Sequence, residues 1–144
     1  MTIANDITLT PKSASTTDLT IEGITEANVL RYFETMNVGD YEATAGLFAE
    51  AGVMHPPFEE PIEGKDAIAT YLEAEAKGMQ LYPHQGIAET LLNDQTQIQV
   101  TGKVQTPWFS VNVSWIFVLS SEREILSARI KLLASPQELL SLRR

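Results

Sequence analysis

Indole joins a large flat apolar face to one N–H that donates a hydrogen bond and never accepts one. Two of them, Trp108 and Trp115, lie seven residues apart in this chain, in the stretch Lys103-Val104-Gln105-Thr106-Pro107-Trp108-Phe109 followed by Val111-Asn112-Val113-Ser114-Trp115. A Trp that lines a cavity can grip a flat hydrophobic ligand and hydrogen-bond its oxygen, and few soluble ligands need both. Other reactive chemistry is scarce. The two histidines, His55 and His84, stand beside Pro56 and Pro83 in turn-like surroundings, and the absence of cysteine removes disulfides, thiol catalysis and thiolate zinc sites.

The elements that must position the tryptophans can be read from periodicity. Val29, Tyr32, Phe33 and Met36 recur at helical spacing, which predicts a first helix over 25–37 ended by Gly39. Asp40 can cap a second helix running to about Phe48, and 65–77 reads as a third, closed by Gly78. The two prolines in 53–58 limit that stretch to an edge strand or loop. Beyond Gly78 the period changes to two, and strands are expected over 79–82, 85–92, 95–105, 110–119 and 125–133. On the fourth of these, Val111, Val113, Trp115, Phe117 and Leu119 share one face, with Ile116 and Val118 on the other. Helices first and hairpin-linked strands later give an α+β fold with a curved antiparallel sheet, one face of which meets the helices around a cavity. Ser135-Pro136-Gln137-Glu138 carries the signature of a short C-terminal helix.

With 144 residues and 44% hydrophobic composition the chain holds one domain, expected over 21–144 behind a loosely docked Thr- and Ser-rich tail, residues 1–20. The formal charge of −9 repels phosphate backbones and anionic lipid surfaces, so nucleic acid is not an expected partner. No apolar run approaches membrane-spanning length and the N-terminus lacks the pattern of a signal peptide, which predicts a soluble, cytoplasmic protein.

Further stretches carry a family likeness: Asn28-Val29-Leu30-Arg31-Tyr32, Pro56-Pro57-Phe58, Pro61-Ile62-Glu63-Gly64-Lys65 and Leu132-Leu133-Ala134-Ser135-Pro136-Gln137-Glu138-Leu139-Leu140. Taken in order with the Lys103 to Phe109 block, the chain from Ile21 to Arg144 resembles the C-terminal domain of the cyanobacterial orange carotenoid protein family and its stand-alone homologues. That family lies within the nuclear transport factor 2-like superfamily. The resemblance implies a cone-shaped fold with three N-terminal helices and a short C-terminal helix. It also implies a bound keto-carotenoid, such as canthaxanthin, echinenone or 3'-hydroxyechinenone.

In that family a Tyr of the first helix and a Trp late in the sheet donate hydrogen bonds to the carbonyl of the carotenoid ring, and the matching residues here are Tyr32 and Trp115. Outside the resemblance, Tyr32 reads first as a core residue of an amphipathic helix, and Trp115 as packing. Trp108, Phe109, Met79, Leu81 and Ile130 are candidates for the tunnel wall, or for ordinary core packing. Glu75 matches a Glu that in the two-domain protein pairs with the N-terminal domain, and reads here as a solvated helix charge.

A domain of about 120 residues has a radius of gyration near ~14 Å, so an extended carotenoid is as long as the whole domain. A homodimer sharing one pigment covers the half that a single cone leaves in water. The resemblance further implies transient membrane contact for pigment uptake, helical N-terminal-domain carotenoid proteins as acceptors, and quenching of singlet oxygen. Two other readings stand beside it: a small enzyme of the ketosteroid isomerase class, which needs a tuned carboxylate or imidazole inside the cone, and a ligand-free dimerisation module.

Overall fold

The apolar stripe Val29, Tyr32, Phe33 and Met36 forms one buried side of α1 (Ala27–Val38), and Gly39, at φ 80°, ends that helix in the left-handed region. A computed structural model of the chain describes residues 19–133. The expected tail at 1–20 falls almost wholly outside the described residues, and the expected helix from Ser135 falls entirely outside them. Asp40 caps α2 (Tyr41–Gly46) by accepting from the Ala43 N–H at 3.2 Å. There follow β1 (Phe48–His55), β2 (Ile62–Glu63) and α3 (Lys65–Glu75), then β3 (Gln80–Thr90), β4 (Thr96–Gln105), β5 (Ser110–Leu119) and β6 (Ile125–Leu133).

The strands form one six-stranded sheet in the order β2-β1-β6-β5-β4-β3. All neighbours are antiparallel except β1 and β6, which pair parallel through Val53↔Ser127, Met54↔Ala128 and His55↔Arg129. The sheet is therefore mixed, which corrects the expectation of a wholly antiparallel one. The stretch read as an edge strand or loop also needs correction. Its prolines follow the last residue of β1, so the strand proper keeps its N–H groups and sits inside the sheet between β2 and β6. The second helix is shorter than expected because the Phe48 side chain enters the core from a strand instead.

The strands expected at 79–82 and 85–92 are one strand, β3, with a register shift between Pro83 and Gln85. Pro83 supplies no N–H to the ladder, and the bulge absorbs the loss. Opposite it, Gly102 leaves no room for a Cβ against the Tyr82 carbonyl oxygen and the Pro83 Cα. The free side of β3 receives the start of the described chain: Glu22 bridges to Gln85, and Gly86 N–H donates to the Glu22 carbonyl at 2.8 Å. The core lies between one face of the sheet and α1, α2 and α3, centred on Phe33, Phe48, Trp115 and Phe117.

Candidate functional site

Strand alternation gathers one wall of the site. On β5 the side chains of Val111, Val113, Trp115 and Phe117 point to the helices, and the ladders place Val104 beside Val111, Leu132 beside Val113, and Val100 and Ile130 on either side of Trp115. Across from them α1 contributes Tyr32 and Met36, and α3 contributes Tyr71, Leu72 and Glu75. Together they enclose a cavity of about 330 Å³, near the lower end for small-molecule sites. The exposed members of its lining, Glu59, Glu75, Phe109 and Leu132, mark the mouth.

The lining is almost wholly apolar, so its few donors stand out. Tyr32 and Trp115 are 1% and 2% exposed and both line the cavity. Aromatic edges fix them. The Tyr32 ring meets Phe117 at 5.0 Å and Phe33 at 5.3 Å, and Phe33 meets Trp115 at 4.7 Å, all in T-shaped contact. Hydrogen bonding at Tyr32 and Trp115 goes through the backbone: Thr35 Oγ1 donates to the Tyr32 carbonyl at 3.2 Å, and Trp115 sits in the ladders of β4 and β6. Among the described residues, neither the Tyr32 hydroxyl nor the Trp115 indole N–H has a protein acceptor. A buried donor left unpaired costs about 1–3 kcal/mol, and both of these border the cavity.

Tyr41 is the internal control. It too is buried on a helix, but its hydroxyl donates to the Ala76 carbonyl at 3.1 Å and ties α2 to the end of α3. Burial, and next the neighbouring Tyr71 phenol, push the Tyr32 hydroxyl well above the ordinary 10.0, so it stays protonated and a donor across the neutral range. Tyr71 is also raised, by burial and then by Glu59 and Glu75, which places the two carboxylates near its phenol at the mouth.

Second contacts hold the frame. Asn37, at the end of α1, clamps β3 from both sides: its Oδ1 accepts from the Leu81 N–H at 2.7 Å and its Nδ2 donates to the Leu81 carbonyl at 2.9 Å. Leu81 is thereby pinned against the cavity. Thr35 and Thr44 share a buried 2.6 Å hydrogen bond that joins α1 to α2.

Of the residues expected from the sequence, Tyr32, Trp115, Phe109, Met79, Leu81 and Ile130 all reach this cavity. Trp108 does not, and its reading as tunnel wall is corrected: it is 84% exposed. The cause is the turn between β4 and β5. Thr106 Oγ1 accepts from the N–H groups of Trp108 at 3.1 Å and Phe109 at 3.0 Å, and Thr106 N–H donates to the Phe109 carbonyl at 2.8 Å. The closed turn packs Pro107 near Gly78 and leaves position 108 as its outward tip. Glu75, read as a solvated charge, is exposed but also lines the mouth.

Sequence reasoning missed Tyr71, Met54 and the Pro56-Pro57-Glu59 side of the opening. Met54 leaves no local mark, because Pro56 and Pro57 directly after β1 obscure the strand that carries it. Tyr71 carried a usable signal: it precedes the buried Leu72 on α3 and borders that helix's apolar face.

Residues 24–128 match the family model described as the nuclear transport factor 2 (NTF2) domain. The chain is 40% identical to the orange carotenoid-binding protein of Synechocystis sp. over 99% of its length, and 39% identical to that of Limnospira maxima over 97%. It spans about half the length of these relatives, 46% and 45% respectively, a part that corresponds to the C-terminal domain. Among solved structures it superimposes on the Orange Carotenoid Protein of Anabaena (Nostoc) sp. binding canthaxanthin with a TM-score of 0.79 and 44% identity, over 85% of this chain and 40% of that one. A curved mixed sheet of six strands backed by short helices, matched along most of its length to that model, places this chain in the nuclear transport factor 2 (NTF2) domain family.

Proposed function

We propose that this protein binds a keto-carotenoid, with the carbonyl of one end ring accepting hydrogen bonds from Tyr32 and Trp115. The observation that carries the reading is the pair of buried donors that have no acceptor among the described residues, in an otherwise apolar cavity. A ring ketone supplies one oxygen with two lone pairs, which suits two neutral donors, and its carbon skeleton suits the remaining lining. Similarity to relatives named for carotenoid binding, one of them solved with canthaxanthin, supports the same ligand class. Canthaxanthin, echinenone and 3'-hydroxyechinenone all offer such a carbonyl.

A cavity of about 330 Å³ has room for a ring and the start of the polyene, not for a whole carotenoid. The remainder protrudes through the mouth, and a second copy gripping the far ring would keep it from water. In this reading the protein is a cytoplasmic homodimer that carries carotenoid from membranes to helical N-terminal-domain carotenoid proteins and quenches singlet oxygen while loaded. Enzymatic turnover of the ketosteroid isomerase type is less well supported: the carboxylates that line the cavity, Glu59 and Glu75, are exposed at its mouth, and neither His55 nor His84 lines it.

The test is reconstitution. Canthaxanthin added to the pigment-free protein is expected to give a stable coloured complex with red-shifted absorption. Tyr32→Phe and Trp115→Phe should each move the absorption back to the blue and speed pigment loss. Loss of about one hydrogen bond corresponds to roughly 0.5–1.5 kcal/mol, or a few-fold to about ten-fold in retention. Wild-type spectra in both variants would remove these residues from the site.

A further inference from the structure

We infer that the cavity also takes, whole and without a second copy, a short ring ketone whose side chain ends in another carbonyl, with Tyr71 donating a hydrogen bond to that outer oxygen. A fragment of this form is left when a keto-carotenoid is cut oxidatively just beyond its ring. The inference rests on the reading above for the ring ketone at Tyr32 and Trp115, but not for the intact carotenoid or the dimer. Three observations carry it. A cavity of about 330 Å³ encloses a ring and a short chain. Its donors lie at different depths: Tyr32 and Trp115 are buried, whereas Tyr71, half-buried on α3, stands nearer the opening. The opening itself carries the carboxylates of Glu59 and Glu75, both exposed.

Tyr71 is the polar group that an intact carotenoid leaves unused. It precedes the buried Leu72, and Glu75 follows one helical turn later on the same side of α3. Unlike Tyr41, its hydroxyl makes no hydrogen bond among the described residues, although Glu59 and Glu75 are near. Burial, and then those two charges, hold its proton more tightly than usual, so at neutral pH it remains a phenol that donates. A polyene running past it offers only carbon. A chain cut just beyond the ring ends there in a carbonyl, which accepts. The carboxylates favour the same occupant. They accept hydrogen bonds and donate none, so neither can hold a carbonyl in place of Tyr71. A polyene leaving through the opening, or a second copy laid over it, strips water from both charges, and a twofold contact there sets them against their own equivalents. A ligand that ends inside the cavity leaves Glu59 and Glu75 hydrated.

Calorimetric titration of the pigment-free full chain tests it. The probes are 4-oxo-β-ionone as the fragment, β-ionone, which lacks the ring ketone, and an analogue of the fragment with a hydrocarbon chain in place of the chain carbonyl. The fragment is expected to bind at one per chain, with no rise in mass by light scattering. It should bind about ten-fold or more tightly than β-ionone, which forfeits the bonds of both inner donors. Tyr32→Phe and Trp115→Phe should each weaken the fragment by a few-fold to about ten-fold. Tyr71→Phe should weaken it by a similar factor, and the hydrocarbon-chain analogue by clearly less. Excess fragment should also displace canthaxanthin from the loaded protein, seen as loss of the bound colour. Equal affinity for the fragment and β-ionone overturns the proposal, as does an equal loss for the fragment and its analogue in Tyr71→Phe, or binding that occurs only as dimers form. Uptake of canthaxanthin with no binding of the fragment also overturns it and leaves the carotenoid reading intact. Fragment binding with no uptake of canthaxanthin sustains it and overturns that reading instead.

Discussion

The inner and outer faces of β4, β5 and β6 are built from the same three stretches of chain and meet opposite demands. Inward they present Ile98, Val100, Val104, Val113, Trp115, Phe117 and Ala128, all buried. Outward they present Gln97, Gln99, Thr101, Lys103, Ser114, Arg129 and Lys131, where polar groups find water or one another, as when Gln99 Nε2 donates to Ser114 Oγ at 3.3 Å. The difference shows what is unusual about the cavity. A polar group without a partner is unremarkable on the outer face and costly on the inner one, where Trp115 on β5 and, opposite the sheet, Tyr32 on α1 have none among the described residues.

The largest expected effect comes from neighbours on one strand. Phe117→Ala on the inner face should destabilise the protein by about 3–5 kcal/mol in urea unfolding, because its ring packs on Tyr32 and Phe33. Val118→Ala, one residue on, should cost less than about 1.5 kcal/mol, being half-buried on the other side. Similar costs at both positions would mean that the outer face is as tightly packed as the core.

The buried tyrosines sharpen the comparison. Tyr41→Phe removes a made hydrogen bond and should cost about 0.5–1.5 kcal/mol. In the pigment-free protein Tyr32→Phe removes a hydroxyl with no acceptor among the described residues and should be neutral or slightly stabilising, which denaturation of the two variants side by side would measure. A cost for Tyr32→Phe as large as that for Tyr41→Phe would show that its hydroxyl already has a firm partner.

Alkali probes the same group. The folded protein holds the Tyr32 proton more tightly than the unfolded chain, whose phenol titrates near 10.0. Its contribution to stability is therefore complete below that value and is lost as pH rises above it towards the folded value. Tyr41 and Tyr71 are shifted in the same direction, so Tyr32→Phe should reduce, without abolishing, the fall in melting temperature above pH 10.0. The smallest effect belongs to the outer face: Arg129→Gln and Lys131→Gln, both at exposed positions, should each change thermal stability by no more than about 0.5 kcal/mol.

Sequence alone settled which side of each element is apolar. The spacing of Val29, Tyr32, Phe33 and Met36 fixes a helix face, and the alternation from Val111 to Leu119 fixes a strand face, because both follow from the geometry of a single element. It also made Tyr32 and Trp115 candidates for the site, through a likeness to other chains, and both line the cavity. Tertiary structure decided the rest. Only the parallel pairing with β6 shows that the residues before Pro56 and Pro57 form an inner strand, since register between distant segments leaves no local mark. Only the turn locked by Thr106 separates Trp108, out in solvent, from Trp115 in the core, although each is an indole followed by an apolar residue. And whether a buried hydroxyl has an acceptor depends on which carbonyl lies within about 3 Å, a question of packing between elements: Tyr41 meets Ala76, and Tyr32 meets the cavity.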